Sequence, residues 1–162
     1  MKEILVDKMG YEQYLKELEK LKEKNNDNAS LGSKAYADAV GDGWHDNFAF
    51  EETMRESRAI AAKIDNMLKE KNYIKIVENT TNDEDVIKIG DKLCIKVEYS
   101  FDDYEIYDII LTGNYKPNTE NDITEITLNS PIGKAIFSKK ITDKIIAIIN
   151  GKEIKIEILK KY

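Results

Sequence analysis

Asp42 and Asp46 stand close together in the stretch Ala39–Met54, Ala-Val-Gly-Asp-Gly-Trp-His-Asp-Asn-Phe-Ala-Phe-Glu-Glu-Thr-Met. Two carboxylates so placed make a half-site for a hard divalent cation. Mg²⁺ takes octahedral oxygen ligation and is usually held by one or two carboxylates, with waters and phosphate oxygens filling the rest. Such a pair suits a partner that already holds phosphate and a first metal, where a second ion generates and places the attacking water. The competing reading is a solvated polar turn, because Asp and Gly are ordinary turn residues.

The neighbours divide in the same way. His45, the single histidine, could ligate a metal or act as a general base. With no second histidine and no cysteine nearby, zinc is excluded. Trp44, the single tryptophan, either folds back over the chain or anchors a partner, since Trp is enriched at binding hot spots. Asn47 caps a following helix or orients the carboxylates beside it. Phe50 is read as support for the tip by packing rather than as a contact residue. No Lys or Arg lies between Lys34 and Arg55, although Glu51 and Glu52 add further acid.

Helical patterns lead into and out of this stretch. Tyr11, Tyr14, Leu15, Leu18 and Leu21 recur at three- and four-residue steps and predict one apolar stripe. Residues 25–33, Asn-Asn-Asp-Asn-Ala-Ser-Leu-Gly-Ser, are weak helix formers. Either the helix is kinked or broken there, or its partner holds it in shape. Beyond, Phe50, Met54 or Thr53, Ser57, Ile60, Ala61, Ile64, Met67 and Leu68 follow a coiled-coil period that ends at Asn72. Gly41 and Gly43 interrupt helix between the two runs. The prediction is a helical hairpin over residues 1–73 with an acidic tip near 41–47.

The remainder reads as β structure. Ile74–Val77, Asp91–Tyr99, Tyr104–Leu111 and Ile123–Leu128 are strand-like, most with period-two alternation, and Pro131–Phe137 suits one short helix. Lys144–Ile149 and Ile154–Leu159 flank Asn150-Gly151, a strong hairpin signal. An antiparallel sheet of five or six strands follows, so the fold class is α+β, with a linker near 72–80 and a second domain over 80–162. Cys94, in an alternating strand, is read as a small buried apolar residue.

Composition bounds the function. The chain has 162 residues, 35% of them charged, with a formal charge of −6, which argues against a free nucleic-acid binder. Both halves are acidic: 12 basic and 15 acidic residues fall in 1–73, leaving 13 and 16 for 74–162. One cysteine permits no internal disulfide. No apolar run approaches the roughly 20 residues of a membrane span. The first residues are too poor in apolar side chains for a signal peptide, so a cytoplasmic protein is expected. No phosphate loop, nucleophile elbow or catalytic triad is present.

Three segments resemble the GreA/GreB family of bacterial transcript cleavage factors. Gly10-Tyr11-Glu12-Gln13-Tyr14-Leu15-Lys16-Glu17-Leu18-Glu19-Lys20-Leu21-Lys22 is similar to the family's first helix. Gly41-Asp42, Asp46-Asn47 and Phe50-Glu51 resemble its tip pattern, Gly-Asp-x-x-Glu-Asn-x-x-Tyr. Leu128-Asn129-Ser130-Pro131-Ile132-Gly133-Lys134-Ala135-Ile136 resembles its C-domain motif. The resemblance implies an antiparallel coiled-coil hairpin followed by an FKBP-like β domain with one short helix. It implies that the β domain docks on bacterial RNA polymerase while the hairpin enters the secondary channel. There the tip acids, Asp42 and Asp46, would help hold Mg²⁺ shared with the polymerase active centre. They would act near the RNA 3′ end of a backtracked transcript, with Asn47 supporting. The factor would stimulate the polymerase's own nuclease and not be an enzyme itself; a monomer is expected.

The tip departs from the family pattern. Its acids are four residues apart instead of three, the second is Asp instead of Glu, and Trp44 and His45 are foreign to it. Lys34 is the sole cation in 25–40, so the family's basic patch for RNA is not evident. A channel-binding regulator that does not promote cleavage is therefore the alternative. Prolyl isomerisation by the second domain is a third and lesser one, because fold alone does not carry function.

Overall fold

A computed structural model describes residues 3–38, 48–100, 102–119 and 123–162. Its elements run β1 (Ile4–Val6), α1 (Lys8–Asp38), α2 (Phe48–Lys71), β2 (Ile74–Ile76), β3 (Lys92–Ser100), β4 (Asp103–Thr112), β5 (Thr124–Thr127), α3 (Pro131–Ile136), β6 (Ile145–Ile149) and β7 (Lys152–Lys161). The α+β class and the order of helices before sheet are as the sequence predicts. The chain divides into two compact units, one of Met1–Lys2 with Tyr14–Ile74, the other of Glu3–Gln13 with Lys75–Tyr162. The first turns of α1 thus group with the β unit, whereas the sequence places them with the hairpin.

In the helical unit, α1 is continuous through residues 25–33. Its inward residues are Tyr14, Leu18, Leu21, Asn25, Asn28 and Gly32, an alternation of four- and three-residue steps. That is the seam of a coiled coil, with two asparagines standing where apolar residues usually stand. Opposite them, Thr53, Ser57, Ile60, Ile64 and Met67 turn inward from α2. Thr53 takes the seam position and Met54 lies at the exposed edge. The Tyr14 hydroxyl donates to the Met67 carbonyl at 2.7 Å, buried. Asn28 Nδ2 donates to Glu56 Oε2 at 3.0 Å. Pairing early α1 with late α2, and later α1 with earlier α2, makes the helices antiparallel. The poor propensity of 25–33 is thus overridden by the partner helix.

In the β unit, β5-β4-β3-β7-β6 form one five-stranded sheet, and β1 pairs with β2 apart from it. Period-two alternation turns Leu93, Ile95 and Val97 of β3, Ile109 and Leu111 of β4, and Ile154, Ile156 and Ile158 of β7 into one core with Ile87, Leu128 and Ile136. Within the five-stranded sheet all pairs are antiparallel except β4–β5, which is parallel with Ile109 opposite Thr124. The expected antiparallel sheet thus carries one parallel pair at its edge. Residues 113–123 are long enough to carry the chain back for a parallel return, where a tight turn would have forced an antiparallel one. Asn150 and Gly151 both take positive φ, 52° and 77°, as a type I′ turn requires.

Cys94 is a second correction. It is half-buried on the sheet face away from the core, opposite Asp108 of β4. Partial desolvation first, then a hydrogen bond to the Asp108 carboxylate, push its thiol above the usual range. It is therefore a poor nucleophile at neutral pH.

Lys161 closes one end of the sheet. Its ammonium lies 2.7 Å from Asp91 Oδ2 and donates to the carbonyls of Glu84 and Val86, each at 2.9 Å. The two side chains are only 15% and 18% exposed. Lys161→Met keeps the aliphatic stem but leaves a partly buried carboxylate with the Lys88 amide and no cation, and takes a donor from two carbonyls. A loss of about 2 kcal/mol is expected in urea unfolding, below the full cost of breaking a wholly buried pair because some water reaches the site. An unchanged midpoint would show the contact to be idle.

Candidate functional site

Asp42, Trp44, His45, Asp46 and Asn47 lie outside the described residues. The helix ends that flank them are described. The Tyr14–Met67 and Asn28–Glu56 contacts set the register, and an added methyl on Gly32 would lie 3.5 Å from Thr53 Cγ2. Continuing that register brings Asp38, the last residue of α1, level with Phe48, the first of α2. The acidic stretch is therefore the connection between two adjacent ends of a long helix pair. From Tyr14 to Asp38 the helix rises about 36 Å at 1.5 Å per residue.

Phe50 is half-buried and lines an open groove of about 420 Å³ between the helices, with Asn25, Asn28, Ala29, Gly32, Met54 and others. Asn25 Oδ1 is buried there without a hydrogen-bond partner. Glu51 is in the first turn of α2, where the positive end of the helix dipole favours a carboxylate. Glu52 pairs with Arg55 at 2.7 Å, so one tip-proximal acid is already offset. Among the described residues no group of three or more His, Cys, Asp or Glu could hold a metal. No helix among them is long and apolar enough to cross a membrane.

Gly32 interrupts an otherwise side-chain-lined seam. Alanine there would make ordinary van der Waals contact with Thr53 and remove the helix penalty of glycine. Gly32→Ala is expected to stabilise the helix pair by about 1 kcal/mol. Helicity followed through thermal unfolding checks this; a lower midpoint would mean the seam is tighter than the distance implies.

The Leu128–Ile136 motif forms the other candidate surface, and most of it has a structural task. Ser130 caps α3: its Oγ accepts from the Gly133 amide at 2.9 Å and donates to the Thr127 carbonyl at 2.9 Å. Pro131 opens the helix, where its missing N–H costs nothing. Gly133 packs so closely that a Cβ would fall far inside contact distance of the Thr127 carbonyl oxygen. Asn129 brackets Leu5 with two 2.8 Å bonds, one to its amide and one from the Asn129 amide to its carbonyl. Leu128 and Ile136 enter the core.

Some positioning residues escape the periodicity argument. Asp7 Oδ1 accepts from the Gly10 amide at 2.6 Å and the Asp7 carbonyl from Tyr11 at 2.9 Å, so Asp7 starts α1 ahead of the apolar pattern. An acid three residues before Gly10 was the available signal. Asn79 brackets Ile89 as Asn129 brackets Leu5, with both bonds at 3.0 Å. Nothing in a lone asparagine distinguishes such a clamp from a loop residue.

Comparison with solved structures finds loose likenesses along the whole chain. GreA factor homolog 1 (Gfh1) of Thermus thermophilus aligns at 19% identity and a TM-score of 0.44, covering 99% of each chain. Gfh1 of Thermus aquaticus aligns at 20% identity and a TM-score of 0.43, over 100% of this chain and 99% of that one. A prokaryotic transcription elongation factor GreA/GreB from Nitrosomonas europaea aligns at 13% identity and a TM-score of 0.37, over 99% of this chain and 98% of that one. No family model and no curated relative matches the chain.

Proposed function

We propose that this chain is a transcription elongation factor of the GreA/GreB kind, binding bacterial RNA polymerase in its secondary channel. There Asp42 and Asp46 complete a Mg²⁺ position at the polymerase active centre and promote hydrolysis of backtracked RNA. The factor binds no metal stably alone. The polymerase supplies phosphate oxygens, waters and the first metal, and the two aspartates supply the missing ligands. The observation that carries this reading is positional. The paired acids, within the Lys- and Arg-free run 35–54, lie in the link between the far ends of two long antiparallel helices. The three sequence segments similar to the family support it. The net charge of −6 fits a factor that joins a complex bringing its own basic groups.

A halted elongation complex from the cognate bacterium tests it. Adding the protein with Mg²⁺ is expected to shorten the RNA from its 3′ end, and omitting Mg²⁺ to stop the shortening. The wider spacing of the acids and the shorter second one favour a second reading, a regulator that occupies the channel without promoting cleavage. Inhibition of nucleotide addition with no shortening would select that reading and discard the first.

A further inference from the structure

The sheet ends on a strand with no partner strand beyond it among the described residues, although α3 packs against it. β6, Ile145-Ile146-Ala147-Ile148-Ile149, is the last strand of the order, and among the described residues no strand lies beyond it. It pairs with β7 through Ile145–Ile156, Ala147–Ile154 and Ile149–Lys152. A two-residue type I′ turn closes on a hydrogen-bonded pair, here Ile149–Lys152. Ladder groups alternate sides along a strand, so Ile145, Ala147 and Ile149 direct theirs at β7. The amides and carbonyls of Ile146 and Ile148 point off the edge. The side chains alternate between faces with the same period: Ala147 is 3% accessible on the core face, Ile146 55% and Ile148 68% on the other.

Sheet edges of this kind are ordinarily blunted by lysine, proline, a bulge or a covering element. β6 has none of the first two, and its register with β7 runs without a break. Its sequence also reads the same in both directions about Ala147. An antiparallel two-fold through Ala147 would therefore oppose isoleucine with isoleucine at every other position. In that register Ile146 faces Ile148 of the second copy as a hydrogen-bonded pair, and the four exposed side chains meet on one sheet face.

We propose that β6 is a self-association edge, pairing antiparallel with β6 of a second copy about Ala147 to give one continuous ten-stranded sheet. The contact is a five-residue strand from each copy, below the roughly 1,200 Å² of a standard interface, so the dimer is weak and forms on concentration. The net charge of −6 on each copy opposes it at low salt.

The test uses the full chain. Sedimentation of the wild type over rising concentration is expected to show a monomer–dimer shift, and Ile148→Lys at equal loading to remain monomeric. Circular dichroism and the melting midpoint should be unchanged, because that side chain is already in water. Ile146→Cys and Ile148→Cys are then made separately in a Cys94→Ser background and oxidised. Hydrogen-bonded partners lie about 5.5 Å apart at Cα, within disulfide reach. The mixture is expected to cross-link several-fold more than either variant alone. A wild type that stays monomeric throughout overturns the proposal. So does a dimer undiminished by Ile148→Lys, or equal cross-linking in the mixture and the separate variants.

Discussion

Asp42→Ala and Asp46→Ala are each expected to slow Mg²⁺-dependent transcript shortening on the order of 100-fold, while polymerase binding is unchanged. The size follows from the division of labour. On the proposed function the helix pair and the β unit would supply the affinity, and the tip acids would act only where metal and water must be placed. Misplacement of about 1 Å costs that much in a positioned reaction. The double variant is expected to fall little further than the single ones, because two ligands of one ion act as a unit. Cleavage by either variant at the parent rate would remove the metal role. Loss of binding would mean instead that the acids contact the polymerase surface. Glu51→Gln serves as control: its place in the first turn of α2 assigns it to the helix dipole, so cleavage should be nearly unaffected.

The second large effect is on stability. Gly133→Ala is expected to destabilise the β unit by about 3 kcal/mol, lowering its melting midpoint by roughly 12–24 °C. The clash is with the Thr127 carbonyl oxygen, which is backbone and cannot rotate away. Ser130 Oγ, close on the same side, holds the α3 cap and that same carbonyl. Relief by a backbone shift would therefore break the cap, itself worth about 1 kcal/mol. Gly90→Ala is the comparison. Its φ is +95° but a Cβ there meets nothing within 4 Å, so the cost is conformational alone and about 1 kcal/mol. Equal effects at the two glycines would show that close packing at α3 is not the reason for glycine there.

Gly133 also explains what a sequence can and cannot disclose. Ser-Pro-Ile-Gly is legible as a helix start, because Ser caps, Pro opens and the apolar run follows. That glycine is needed for contact with Thr127 is not legible, since the contact depends on where β5 runs. The strands were readable wherever one face is buried, as in Lys92–Ser100 with its strict alternation. The direction of β5 was not, because four residues carry the same pattern either way up. Helix α1 was obscured at Asn25 and Asn28 for a related reason. Periodicity is counted on apolar residues, and there the seam is polar, held by Glu56 across the pair. Phe50 continues the seam spacing of α2, which is what a reading of apolar periodicity can pick up. The residues proposed for chemistry, Asp42 and Asp46, were read from type, spacing and missing lysines, and that reading rests on the sequence.

The asparagine layer has a mechanical corollary. Toward the root, the pair is gripped by Tyr14, Leu18, Ile60 and Met67, all buried. Past Asn28 the described residues at the seam are a glycine and a half-buried phenylalanine beside an open groove. Water expelled per turn is therefore smaller outward than inward, and amide exchange should quicken along the same direction. Among the described residues the arm is thus graded, held tightly between Tyr14 and Met67 and more loosely between Gly32 and Thr53.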